Sequence, residues 1–183
     1  MTRLKQVAPE AAVGQTKEML DRVTKMIGRT PNMHQVLATS PVALTAYLQL
    51  GGTVSHGKLT ARDREQISLA ISEANGCEYC LSAHSTIGKM VGLTGEQIRD
   101  ARQGTAIDRR TEALLRFARQ VLDNRGRVSD AELTAFREVG FDDEAVLEVI
   151  TNVVLNVFTN FTNNAAQTEV DWPHAEKLAV AQN

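Results

Sequence analysis

Aromatic side chains are scarce in this chain: one Trp, two Tyr and five Phe, 4% of 183 residues. The expected core is therefore aliphatic, built from Leu, Val, Ile, Ala and Met. An excess of one charge is also missing, since 20 Lys and Arg stand against 22 Asp and Glu for a net charge of −2. That balance gives no general electrostatic footprint for nucleic acid or for an anionic membrane surface. No unbroken run of about 18 apolar residues occurs, which argues against a membrane-spanning helix. The opening Met1-Thr2-Arg3-Leu4-Lys5-Gln6 lacks the apolar stretch of a secretory signal, so a cytoplasmic location is expected. Internal repeats, low-complexity tracts and long linkers are absent. A length of 183 residues, 43% hydrophobic and 23% charged, fits a single globular domain over residues 1–183. Cysteine is nearly absent, and two residues cannot make a disulfide scaffold. They stand three positions apart, however, as Cys77 and Cys80.

The punctuation predicts a series of helices. Pro9 opens the first and Gly28 closes it, with Arg29-Thr30-Pro31-Asn32 as the turn. Ser40-Pro41 caps and starts a second, which Gly51-Gly52 is expected to end. Thr60 with Asp63, Thr94 with Gln97 and Ser129 with Glu132 have capping-box spacing, while Gly92, Gly104 and Gly140 are stops. Asn75-Gly76 breaks the pattern just before the cysteines, and a new helix is expected from about Cys77 to Val91. Leu114, Leu115, Ala118, Val121 and Leu122 form one stripe. Val146, Val149, Ile150, Val153, Val154, Val157, Phe158 and Phe161 recur at spacings of three and four, a buried helix rather than a strand despite its valines. With no other strand signal, the fold class is all-α, a single-domain bundle of roughly eight helices.

On a helix, Cys77, Cys80 and His84 share one face. Thiols at C-x-x-C spacing can close a small disulfide ring, and a helix N-terminus near Gly76 favours a thiolate. A histidine one turn beyond Cys80 can take a thiol proton and return it to a leaving oxygen. These parts suit reversible thiol–disulfide exchange, or reduction of a hydroperoxide through a sulfenic acid. Other readings stand beside this one: a zinc site on the two cysteines and His84, a pair of inert buried thiols, a core histidine, or Glu65 and Glu73 as solvated glutamates.

The Glu-x11-Cys-x-x-Cys-x3-His arrangement, Glu65, Cys77, Cys80 and His84, resembles the alkyl hydroperoxidase D-like (AhpD-like) families of the carboxymuconolactone decarboxylase superfamily. The resemblance extends to Pro31-Asn32-Met33, Ser40-Pro41, Arg64-Glu65, Asn75-Gly76-Cys77, Asn160-Phe161-Thr162-Asn163 and Asp171-Trp172-Pro173. It implies an all-helical fold, obligate homo-oligomers and a peroxide-reducing dithiol. It further implies that Cys80 attacks the peroxide, Cys77 resolves the intermediate as a disulfide, and His84 and Glu65 relay protons. The founding pattern carries a histidine between the cysteines where this chain has Tyr79, a phenol that can donate a hydrogen bond but cannot act as a base near neutral pH.

The expected function is thus a thiol-dependent peroxidase or disulfide oxidoreductase. Its expected partners are a hydroperoxide substrate, a protein dithiol reductant and further copies of itself as a trimer or hexamer. No cofactor, metal, nucleic acid or membrane is called for. The alternatives are a lactone-processing decarboxylase of the same superfamily, to which the cysteines are of no use, and a non-enzymatic zinc-binding oligomer. Assembly is expected through the 143–164 helix, whose Asn152, Asn156, Asn160 and Asn164 recur every four residues and make an uncharged seam.

Overall fold

Capping chemistry sets the frame in the computed structural model, which describes residues 2–178. Thr60 and Asp63 exchange side-chain and backbone hydrogen bonds at the start of helix α4 (Ala61–Ala74). Thr94 with Gln97 does the same for α6 (Gly95–Gln103), and Ser129 with Glu132 for α8 (Asp130–Glu138). The remaining helices are α1 (Gly14–Ile27), α2 (Asn32–Leu37), α3 (Pro41–Val54), α5 (Glu78–Met90), α7 (Arg109–Asp123) and α9 (Asp143–Ala166). Nine α-helices and no strand are present among the described residues, so the all-α class holds.

The ninth helix is α2, six residues where the sequence suggested only a turn. Two further boundaries differ from expectation. Pro9 opens a separate 3-10 turn, Pro9–Ala11, and α1 starts at Gly14. Helix α3 runs through Gly51-Gly52 and ends at Val54, with Gly51 O accepting from Ser55 N. A helical glycine costs only about 1 kcal/mol against alanine, which weakens a helix without ending it. Gly28 and Gly104 do terminate their helices, with left-handed φ values of 85° and 75°.

Helix α4 is the hub, packed against α5, α6, α7 and α9. One face, through Ile67 and Ile71, joins Leu114, Phe117, Phe136, Phe141, Val149 and Val153 in the main core. Three of the five phenylalanines meet there: Phe117 stacks on Phe136 and Phe136 on Phe141, each pair at 4.3 Å between centroids. The core is thus not purely aliphatic. Another face of α4, through Leu69 and Ala70, packs on Leu93, Ile98, Ala101 and Leu115. A third cluster gathers Met19, Leu20, Met33, Leu37 and Leu44 around Cys77, Tyr79 and Cys80.

Helix α9 is long and apolar enough in composition to cross a membrane, though Asn and Thr interrupt its apolar runs. It lies against α2, α3, α4, α5 and α7. Its orientation reverses the expectation for the asparagine seam. Asn152, Asn156 and Asn160 are buried inside the chain, while Leu147, Val154 and Phe161 are 66%, 54% and 56% exposed. The buried amides are satisfied internally: Asn152 donates to Glu148 O, Asn156 to Asn152 O, and Asn160 to Ser72 Oγ.

Candidate active site

The Asn75-Gly76 break builds the cysteine site. Helix α4 ends in a Schellman motif: Cys77 N donates to Ser72 O and Gly76 N to Glu73 O. The motif requires a left-handed residue, and Gly76 supplies it at φ +59°; a Cβ there would meet nothing within 4 Å, so backbone conformation rather than space selects glycine. The next residue, Cys77, is the N-cap of α5, its Sγ accepting from Cys80 N at 3.2 Å. The two cysteines are joined by a disulfide with their Cα atoms 5.3 Å apart. Both are buried, Cys77 fully and Cys80 to within 3%.

Helix α9 clamps this turn through its asparagines. Asn75 Nδ2 donates to Asn160 Oδ1 at 2.9 Å, and Asn164 Nδ2 to Asn75 O at 2.8 Å. Asn163 Nδ2 donates to Cys80 Sγ at 3.3 Å. Asn160 and Asn164 of the polar row thus hold the cysteine turn in place.

One turn beyond Cys80, His84 Nδ1 lies 2.8 Å from Glu65 Oε2 on α4. Their side chains retain 21% and 16% exposure, which gives the pair a solvent edge that the cysteines lack. A carboxylate at Nδ1 favours the tautomer with its proton there and leaves Nε2 as the basic nitrogen. Neighbouring arginines do not compete for Glu65: Arg62 donates to Gly92 O and Gln97, and Arg64 to Leu59 O. Glu73 is engaged elsewhere, its Oε2 accepting from the buried Arg102 Nε at 2.7 Å. It takes no part in the cysteine site.

Tyr79 is turned away from any proton relay. Its hydroxyl donates to Asp171 Oδ1 at 2.8 Å and accepts from Met33 N and Trp172 Nε1 at 3.2 and 3.3 Å. Asp171 also accepts from Asn32 N and the Arg29 guanidinium, which sits over the Trp172 ring at 4.4 Å. Burial, reinforced by Asp171, pushes the phenol upward from its usual value. The residue between the cysteines therefore anchors the segment after α9 to α2.

Two residues that the motif did not flag border the site. Tyr47 on α3 packs against the cysteine cluster; burial and the Glu65 carboxylate push its phenol up to about 12, so it is a neutral donor at ordinary pH. His34 on α2 meets the Tyr47 ring edge-on at 5.4 Å between centroids, and burial lowers its pKa to about 4. Both are isolated in sequence, and no spacing connects them to the cysteines. Among the described residues, no three His, Cys, Asp or Glu side chains are grouped to hold a metal ion.

Comparison with known proteins agrees with this geometry. The signature of the Carboxymuconolactone decarboxylase family matches residues 41–124, spanning α3 to α7 and including all four residues of the cysteine motif. A search of curated proteins gives no match. Among solved structures, the alkylhydroperoxidase AhpD core protein of Ralstonia eutropha JMP134, an uncharacterized peroxidase-related protein, is 25% identical. It superposes with a TM-score of 0.85 over 93% of this chain and 92% of its own. A peroxidase-related protein from Silicibacter sp. TM1040 gives 20% identity and a TM-score of 0.80 over 92% and 91%. The debrominase Bmp8 without ligand gives 19% and 0.78 over 93% of each chain. Residues 41–124 thus match the Carboxymuconolactone decarboxylase family, and the chain has the all-helical fold of structures described as AhpD core and peroxidase-related proteins.

Proposed function

We propose that this chain is a thiol-dependent peroxidase that reduces hydroperoxides at Cys77 and Cys80 and is re-reduced by a protein dithiol. One observation carries the reading: a buried disulfide at a helix start stands one turn from a histidine paired with a carboxylate. The family domain and the peroxidase-related neighbours support it.

In the proposed cycle His84 takes the proton of the reduced Cys80 thiol. The thiolate attacks the terminal peroxide oxygen; an S–O bond forms as the O–O bond breaks, and the leaving alkoxide takes the proton back from His84 as alcohol. Sulfur has lost two electrons and is a sulfenic acid. The Cys77 thiolate then attacks the Cys80 sulfur, forming S–S and breaking S–O; the hydroxide departs as water with the proton that Cys77 gave up. Thiol–disulfide exchange with the partner dithiol returns two electrons and two protons. Attack is assigned to Cys80 because His84 lies one turn from it. A positioned base contributes about 10²–10⁴-fold, more than the roughly 2 kcal/mol at most that a helix dipole gives a buried thiolate at Cys77.

A lactone decarboxylase gives the disulfide no task, and a zinc oligomer needs both sulfurs free for metal. Free-thiol titration before and after peroxide, with metal analysis of the purified protein, tests all three. Loss of two thiols per chain, with dithiol oxidised in proportion to peroxide consumed, supports the peroxidase. Stoichiometric metal with unreactive thiols would support zinc, and lactone turnover by an alkylated protein would support the decarboxylase. We further propose that the chain works as a homo-oligomer joined through the outward apolar stripe of α9.

A further inference from the structure

Among the described residues, Asn163 is the one polar side chain that donates to a cysteine sulfur from outside the motif. Its Nδ2 donates to Cys80 Sγ at 3.3 Å, and the residue is only 3% exposed. Its other amide atom, Oδ1, is buried with no hydrogen-bond partner. An unpartnered buried acceptor costs about 1–3 kcal/mol, so its survival beside a reactive sulfur calls for a use. The backbone around it is firmly held: Thr168 N donates to Asn163 O, and Asn160 and Asn164 on the same helix tie down Asn75.

We propose that Asn163 is a catalytic residue of the thiol centre: its Nδ2–H stabilises the Cys80 thiolate, and its Oδ1 receives the O–H of the bound hydroperoxide and then of the Cys80 sulfenic acid. The second half rests on the peroxidase reading above; the first holds for any use of the dithiol. A hydrogen bond to the charged form of a group favours that form, and in a buried setting with no competing water it is the main substitute for hydration. The surroundings leave this task open. The ionisable groups near Cys80 are His84 on α5, Glu65 on α4, Tyr47 on α3 and His34 on α2, with Asp171 behind Tyr79. Arg102 of α6 is paired to Glu73, and α9 carries no charged residue after Glu148. Among the described residues no lysine or arginine is positioned on the sulfur, so beside the imidazolium that forms at His84 the Asn163 amide is the direct hydrogen-bond donor to it.

The test uses the reduced Cys77→Ser protein, which has one thiol, and follows its iodoacetamide alkylation against pH with Asn163 intact, changed to Leu, or changed to Asp. Removing the donor in Asn163→Leu is expected to raise the Cys80 pKa by about one unit, a tenfold loss of thiolate. Asn163→Asp keeps the shape and places an anion there, so it should raise the pKa further. It also decides the matter if the leucine variant fails to fold. An unchanged Cys80 pKa in the folded aspartate variant would overturn the proposal whether or not the chain reduces peroxides. Dimedone labelling at intervals after a several-fold excess of peroxide, enough to carry a sulfenic acid on to sulfinic acid, reads the second role. With Asn163 intact the sulfenic acid should persist, and in Asn163→Leu it should pass at least several-fold faster to sulfinic acid. Equal lifetimes in a protein that does reduce peroxide would remove Oδ1 from the chemistry. Peroxide inertness of all variants would instead count against the peroxidase reading and leave the pKa result to judge the donor.

Discussion

Glu65 and His84 are 19 positions apart, on separate helices, and their side chains meet at 2.8 Å. The meeting depends on the reversal at Asn75-Gly76, which folds α5 back along α4. A carboxylate fixed at Nδ1 holds the ring in one orientation and leaves Nε2 as the nitrogen free to take a proton. The pair is partly open to solvent while the disulfide is buried, so protons can reach the site by way of His84 and Glu65.

If this pair moves the proton, His84→Gln should lower peroxide kcat/KM by about 10²–10⁴-fold. Glu65→Gln keeps a hydrogen-bond acceptor but loses the charge, and its loss should be smaller. The helical circular-dichroism spectrum should be unaltered in both. Wild-type turnover in the two variants would take the pair out of the site.

The order of attack is open to chemical trapping. Cys77→Ser treated with peroxide and dimedone should carry the label on Cys80 by peptide mass spectrometry, because the resolving thiol is gone and the base remains. Label appearing only in Cys80→Ser would exchange the two roles.

His34 should make stability depend on pH. Its folded pKa is depressed to about 4 by burial, against about 6.5 for an unfolded histidine. Above about pH 6.5 both states are neutral and the residue has no effect. Between about 6.5 and 4 the unfolded chain binds a proton that the folded chain does not, so stability falls as pH falls, by about 3 kcal/mol at the lower end. Urea unfolding from pH 7 to 4.5 should show this slope, and His34→Gln should flatten it. Parallel slopes in the two proteins would mean that His34 is not held neutral.

Tyr79→Phe removes a single hydroxyl on which three groups converge: Met33 N, Trp172 Nε1 and Asp171. Leaving the buried Met33 N–H without a partner should cost about 1–3 kcal/mol, read as a lower unfolding temperature. Formation of the Cys77–Cys80 disulfide by peroxide should continue at close to the wild-type rate. A collapse of that rate with stability intact would return Tyr79 to the proton relay.

The helix starts at Thr60, Thr94 and Ser129 were legible because each is a local exchange between side chain and backbone within four residues, which α1 and α2 lack. The dithiol turn was legible for the same reason, since Asn75-Gly76-Cys77 carries the whole Schellman geometry in consecutive residues. Helix α2 was not: six residues show less than two turns of periodicity. The glycines of α3 misled because glycine permits a helix end without compelling one. Composition counted the phenylalanines but could not say that Phe117, Phe136 and Phe141 would stack. Periodicity put the valine stripe of α9 in the core, where Val149 and Val153 lie, but did not show that the asparagine row also faces inward. That was decided by partners far along the chain, Ser72, Asn75 and Cys80, which need the asparagine amides more than solvent does.

The reversed stripe changes how assembly should be tested. Asn156 is 3% exposed and bonded within its own helix, so a lysine there would damage the fold and say little about a partner. The outward face instead offers Leu147, Val154 and Phe161 at intervals of seven, with the half-buried Ile150 and Val157 between them. Spacings of three, four, three and four are those of a helix–helix seam, and the sequence places no charge between Glu148 and Ala166 to oppose a second copy. Three large apolar side chains more than half exposed along one line are a poor surface to leave in water. Phe161→Glu should therefore put an anion into the contact and shift the protein toward 20.0 kDa by light scattering, with its helical spectrum kept. Glutamate at this solvent-facing position leaves the monomer core untouched, so loss of assembly can be assigned to the surface itself. A wild-type protein already at 20.0 kDa at micromolar concentration would refute the homo-oligomer, and a Phe161→Glu assembly of unchanged mass would move the interface to another face.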